Sequence, residues 1–130
     1  MLKNKKGFTL VELLAVIVIL AIILAIAIPG ITGMVENAKK NAFVSDAKMI
    51  ISGIDYRKLE CDMGVTTEGC PSTSVILPSA LSYYGANPAN YTAFKITNMS
   101  PITIELTSAT TSQFGVLSGS GTKATFAIAP

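Results

Sequence analysis

The chain has 130 residues, room for one small domain and not two, and half of them are hydrophobic while only 14% are charged. Net charge is +2, but three of the ten basic residues precede residue 7; beyond it seven basic residues face eight acidic ones, a balance that does not indicate nucleic-acid binding. Histidine and tryptophan are absent, which removes the commonest general base and metal ligand, so neither an enzyme nor a metal- or cofactor-binding protein is expected.

The composition is uneven along the chain. Lys3, Lys5 and Lys6 precede a run from Leu13 to Ile28 in which every residue is apolar, whereas the stretch after Cys61 is rich in Ser, Thr, Gly, Asn and Pro. Three origins fit such a start. A cleaved secretory signal has a basic beginning and an apolar core, and Ala25-Ile26-Ala27 resembles a signal-peptidase site. A plain membrane anchor fits because Phe8 to Ile28, as a helix, spans roughly 32 Å. The third is a short basic leader that is removed while the apolar helix is kept. Glu12 separates them. A carboxylate inside a membrane-crossing segment is unfavourable by a few kcal/mol and needs a partner or a role; a secretory signal gains nothing from it, and a plain anchor tolerates it only by snorkelling to the interface.

The residues Lys6-Gly7-Phe8-Thr9-Leu10-Val11-Glu12, followed by unbroken apolar sequence to Pro29, resemble the class III signal sequence of type IV prepilins and pseudopilins. The resemblance covers residues 5–29 strongly and extends along the following helix, but says little of residues 61–130. It implies removal of residues 1–7 by a prepilin peptidase that cuts between Gly7 and Phe8, N-methylation of Phe8, and assembly through Phe8 and Glu12, with the Glu12 carboxylate neutralising the terminal amine of a neighbouring copy. The implied partners are further copies of the chain in a helical homopolymer, the peptidase, an inner-membrane assembly platform, and the membrane itself before assembly. Buried in aliphatic surroundings, an unpaired charge is heavily penalised and a pair far less so, and such a pair fixes the axial register between helices. The lysines keep the N-terminus cytoplasmic and place the remainder outside the membrane. The implied location is the cytoplasmic membrane before assembly and an extracellular pilus afterwards.

Pro29 and Gly30 interrupt the apolar run, and Gly33 follows; proline removes one helical hydrogen bond and favours a kink. The same place matches where helices of the resembled family melt locally in filaments. Beyond it Ile31, Val35, Ala38 and Ala42, then Phe43, Ala47, Ile50 and Ile54, recur at spacings of three and four. We therefore expect one long bent helix from about Phe8 to Leu59, with residues 8–29 as the membrane and filament-core half and residues 30–60 as an amphipathic half packed on a sheet. Lys39-Lys40, Lys48 and Arg57-Lys58 each have an acidic neighbour, as on a solvated helix face.

Residues 61–130 are expected to form a head domain, giving an α+β fold. Cys61 and Cys70 are the only cysteines; outside the cytoplasm a disulfide between them is the default, closing a small loop after the helix. Pro71 to Asn90 reads as a connecting loop, with a short strand at Ser74–Leu77. Further strands are expected at Ala93–Thr97 and Ile102–Leu106, and at Phe114–Leu117 and Lys123–Ile128 around a hairpin turn at Ser118-Gly119-Ser120-Gly121, with Ala124, Phe126 and Ile128 inward. The result would be an antiparallel sheet of three or four strands over the helix. Some secretion pseudopilins with a similar N-terminus hold calcium in an acidic C-terminal loop. Here Glu105 is the sole acidic residue after Glu68, so no calcium site is expected. That turns the expectation toward a type IV pilus subunit, serving motility, adhesion or DNA uptake. A pseudopilin of a competence or type II secretion system is the alternative, and a membrane-anchored binding module is the alternative of another class.

Overall fold

The computed structural model describes residues 7–130. Lys3, Lys5 and Lys6, expected to set membrane orientation, lie outside the described residues. The chain comprises a helix α1 (Leu10–Asp62), two 3₁₀ segments (Pro78–Tyr84 and Pro88–Asn90) and four strands: β1 (Tyr91–Met99), β2 (Ile102–Ser108), β3 (Ser118–Gly121) and β4 (Ala127–Ile128). It divides into two compact units, residues 1–36 and residues 37–130.

In the first unit the side chains of α1 are exposed along almost their whole length. Its most apolar eighteen-residue window has a mean hydropathy of 3.2, long and apolar enough to cross a membrane. Pro29, Gly30 and Gly33 all lie inside α1, and the helical assignment continues across them. Pro29 has no N–H to offer the carbonyl four residues earlier. Separately, Thr32 Oγ1 donates to the Pro29 carbonyl at 3.0 Å.

In the second unit α1 lies on an antiparallel sheet of order β1-β2-β3-β4. Phe43, Ala47, Ile50, Ile51 and Ile54 are buried against Phe94 and Ile96 of β1, Ile104 and Leu106 of β2, and Leu81, Tyr84, Phe114 and Phe126 from the connections. Removing such side chains from water stabilises by about 1.5–3 kcal/mol each, so this face joins helix to sheet. The alternation expected in β2 is present: Ile102, Ile104 and Leu106 are buried while Glu105 is exposed. Beside the buried face, Asp46 is partly covered, and desolvation raises its carboxyl above the ordinary aspartate value.

Several expected boundaries shift. The helix runs on to Asp62 and not Leu59, because Gly64 (φ 74°) provides a left-handed stop: Gly64 N–H donates to the Cys61 carbonyl and Val65 N–H to the Glu60 carbonyl, a Schellman termination. Ile31, Val35, Ala38 and Ala42 do not continue into the buried face; they are exposed, and the core series starts at Phe43. Ser74–Leu77 is not a strand. It offers only the Val75 carbonyl, which accepts from Ile96 N–H on the edge of β1 at 3.1 Å, and Pro78 then starts a 3₁₀ turn.

The last hairpin is displaced too. Ser118–Gly121 is the strand and not the turn, pairing with both β2 and β4, while the reversal falls at Thr122–Phe126. Glycine is required on its inner face: a Cβ on Gly119 would stand 2.6 Å from the Ala127 carbonyl oxygen and 2.9 Å from the Phe126 ring. Phe114–Leu117 leaves the ladder because Phe114 turns inward, edge-on to Phe43 at 5.7 Å. Buried Ser108 anchors the returning chain, donating from its hydroxyl to the Gly115 carbonyl and accepting Leu117 N–H. Phe126 is buried and Ile128 partly so, as expected, but Ala124 is exposed at the turn.

Close approach of helix and connection gives a test. At Gly53 an added Cβ would collide with the Tyr84 carbonyl, whose carbon stands 2.8 Å away. Within a helix Gly→Ala ordinarily stabilises by about 0.5–1 kcal/mol, but here backbone would have to move. Gly53→Ala is expected to destabilise by about 1–3 kcal/mol, read as a lowered Tm of the detergent-solubilised chain. Gly30→Ala, where nothing lies within 4 Å, is expected to leave Tm unchanged or raised.

Candidate assembly site at the helix N-terminus

Among the described residues, two precede the cap of α1. Gly7 and Phe8 lie outside the helix, Phe8 is 85% exposed, and nothing stands within 4 Å of a Cβ placed on Gly7. The Gly7–Phe8 peptide bond is thus in non-helical, accessible backbone, the form in which a peptidase can grip a chain.

The helix begins abruptly after them, and the sequence explains why. Thr9 caps the helix: its hydroxyl accepts Glu12 N–H at 3.2 Å while the Glu12 carboxylate accepts Thr9 N–H through Oε2 at 3.0 Å. Leu13 N–H donates to the Thr9 carbonyl at 3.2 Å, closing the first turn. This reciprocal arrangement is a capping box, which satisfies two amides that a helix end otherwise leaves without partners. In hydrocarbon each such amide costs several kcal/mol if unpaired, so the cap matters more there than in water. Glu12 also places its negative charge at the positive end of the helix dipole.

The cap orients Glu12 without exhausting it. A carboxylate has roughly four acceptor positions, and the bond from Thr9 N–H occupies one. The remainder are available to a cation. Phe8, Thr9 and Glu12 therefore form one local unit, whereas Pro29, Gly30 and Gly33 stand farther along the same helix. Thr9 was legible in principle: Thr followed three positions later by Glu, ahead of an apolar run, is a capping signature.

Cys61 and Cys70 belong to the second unit and are joined as a disulfide, with Cα atoms 5.9 Å apart. The loop they close is also gripped by Arg57, which spacing alone did not single out. Its Nε and Nη2 donate to the Glu68 carbonyl at 3.0 and 2.6 Å, and its Nη1 pairs with Glu60 at 3.1 Å. The guanidinium lies 5.3 Å from the Tyr83 ring centre, a cation–π contact. Arg57 is therefore not part of a free basic strip, and this cluster supports the loop mechanically.

Comparison with known proteins bears on the N-terminal unit first. Residues 2–28 match the prokaryotic N-terminal methylation motif. The chain carries the prepilin-type N-terminus of the type IV pilin and pseudopilin superfamily. Its curated relatives include the "Type II secretion system core protein G" of Klebsiella pneumoniae, 34% identical over 79 residues, 61% of this chain and 56% of the relative. The protein of the same name from Dickeya chrysanthemi is 38% identical over 66 residues, 51% of this chain and 43% of the relative. That from Pectobacterium carotovorum subsp. carotovorum is 33% identical over 90 residues, 69% and 55% respectively. The chain thus matches about half the length of these relatives. No solved structure matches it. The long helix and four-stranded antiparallel sheet are an α+β arrangement of pilin type.

For this N-terminus the cap yields a direct expectation. Thr9→Val keeps the shape of the side chain and removes the hydroxyl acceptor. Loss of a helix cap costs about 1 kcal/mol, so hydrogen exchange at the Glu12 amide is expected to quicken about fivefold in micelles. Thr9→Ser is expected to retain protection.

Proposed function

We propose that the chain is a filament subunit of the secretion-pseudopilin class, structural and not catalytic. In this reading a prepilin peptidase removes residues 1–7 by cutting after Gly7 and methylates the amine of Phe8. The apolar part of α1 holds the subunit in the cytoplasmic membrane, and an assembly platform then draws it into a helical homopolymer. Glu12 carries the proposal: a single carboxylate, oriented by its own cap, at the start of a helix whose neighbouring residues are apolar.

The chemistry follows from charge. Removing residues 1–7 takes away three lysines and leaves one amine, which stays cationic after methylation. A cation at a helix N-terminus is opposed by the dipole and, away from water, by desolvation. Glu12 of an adjacent copy relieves both, and only one axial offset lets the pair meet.

The names of the relatives support a secretion pseudopilin over a surface pilus subunit. A surface type IV pilus is the second reading, favoured by one feature: Glu105 is the only acidic residue after Glu68, which leaves too few carboxylates there for the calcium site of some pseudopilins.

Glu12→Ala is expected to abolish filament assembly while leaving cleavage and membrane insertion intact, measured by electron microscopy of sheared fibres and by fractionation. Mass spectrometry of the mature wild-type chain is expected to find N-methyl-Phe at residue 8. Normal filaments from the variant would refute the pairing role, and a mature N-terminus near Ile28 would refute the whole reading.

A further inference from the structure

Three segments of the second unit meet around a groove of about 390 Å³, within the size range of small-ligand sites. Helix α1 supplies Ile51, Asp55 and Lys58, which spacings of four and three place on one helical face. The β1–β2 reversal, residues 99–102, and the β3–β4 reversal, residues 122–124, supply the rest. The apolar part of the lining is buried Ile51 and Ile102 with half-buried Met99. Three charges share the same groove: Asp55 and Lys58 from the helix and Lys123 from the last turn. Among the described residues none of the three has an ion-pair partner.

Both reversals are braced by their own side chains. Thr122 and Thr125 join their hydroxyls at 2.8 Å, and each hydroxyl accepts the other residue's N–H at 3.2 Å. Lys123 is carried between them. On the other reversal, Thr103 Oγ1 donates to the Pro101 carbonyl at 3.2 Å. These walls are in place before a ligand arrives, which lowers the ordering cost of binding.

We propose that this groove binds the C-terminal end of a peptide whose last residue is apolar. The terminal carboxylate pairs with the Lys58 and Lys123 ammonium groups, the last side chain covers Ile51, Met99 and Ile102, and Asp55 accepts a peptide N–H. The make-up of the lining selects this class of ligand. Two ammonium groups without an internal partner favour an anion, through charge-assisted hydrogen bonds. A bare dianion such as inorganic phosphate is opposed by Asp55 and leaves the apolar lining in water. A uronic acid satisfies the cations but lays only hydroxyls on that lining, and a simple hydrophobe leaves all three charges unused. A peptide terminus carries an anion, a donor and an apolar side chain within one residue, so it answers every part of the groove. The site lies wholly in the second unit and does not depend on polymerisation through Glu12.

The test is isothermal titration calorimetry on the full chain in a non-ionic detergent, at two temperatures. The probe is acetyl-Gly-Ser-Ala-Leu, whose one charge is its C-terminal carboxylate. Saturable binding at a single site is expected. The same peptide ending in an amide is expected to bind about tenfold more weakly, through loss of the charge-assisted bonds. Serine in place of the last leucine is expected to weaken binding about tenfold as well, through loss of the buried side chain. Lys58→Gln and Lys123→Gln are each expected to weaken it about fivefold or more with Tm unchanged. Equal affinity for the acid and amide forms, displacement of the peptide by equimolar inorganic phosphate, or no saturable binding at either temperature overturns the proposal. The acid and amide forms are compared on the unaltered chain, so a variant that fails to fold leaves that comparison decisive.

Discussion

A carboxylate placed in hydrocarbon constrains everything near it. Glu12 sits in the first turn of a helix that is apolar from Leu13 to Ile28, and a lone charge there is tolerated only with a partner. The capping box with Thr9 satisfies the backbone around that charge and fixes where the helix starts. It thereby leaves Phe8 outside the helix, next to the proposed cleavage bond. One short sequence, Phe8 to Glu12, thus holds the helix start, the proposed cleavage point and the charged group through which copies would register.

The second unit solves a different problem with the same helix. Its inner face is buried by ordinary hydrophobic packing, and the sheet has a single continuous core built on Phe43, Phe94, Ile104 and Leu106. The disulfide and Arg57 hold the loop that follows the helix.

How much of this was legible in the sequence varied with the physics of each element. The apolar run, Glu12 and the pattern of β2 were plain because burial imposes a simple period. Other elements depended on tertiary contacts that a local pattern does not carry. Ser118–Gly121 has the composition of a turn, yet its alternation of Ser outward and Gly inward is that of a strand whose inner face must admit Phe126. Ser74–Leu77 has strand-like residues but only one ladder bond to β1. The series from Ile31 to Ala42 and that from Phe43 to Ile54 look like one amphipathic pattern, and a one-residue step between them places them on different faces. The Thr9 cap and the Gly64 stop were visible as residue types, but their roles became clear with the hydrogen bonds they make.

The central claim is that Glu12 is held by its own cap and neutralised by the amine of another copy. The most direct measurement is the separation between the Glu12 carboxylate and the nearest Phe8 amine in the assembled filament, resolved by electron cryomicroscopy. An intermolecular N···O distance within about 4 Å, the range of an ion pair, is expected, with the Thr9–Glu12 bonds retained. A Glu12 carboxylate facing solvent, or paired with no amine from a neighbouring copy, would contradict it.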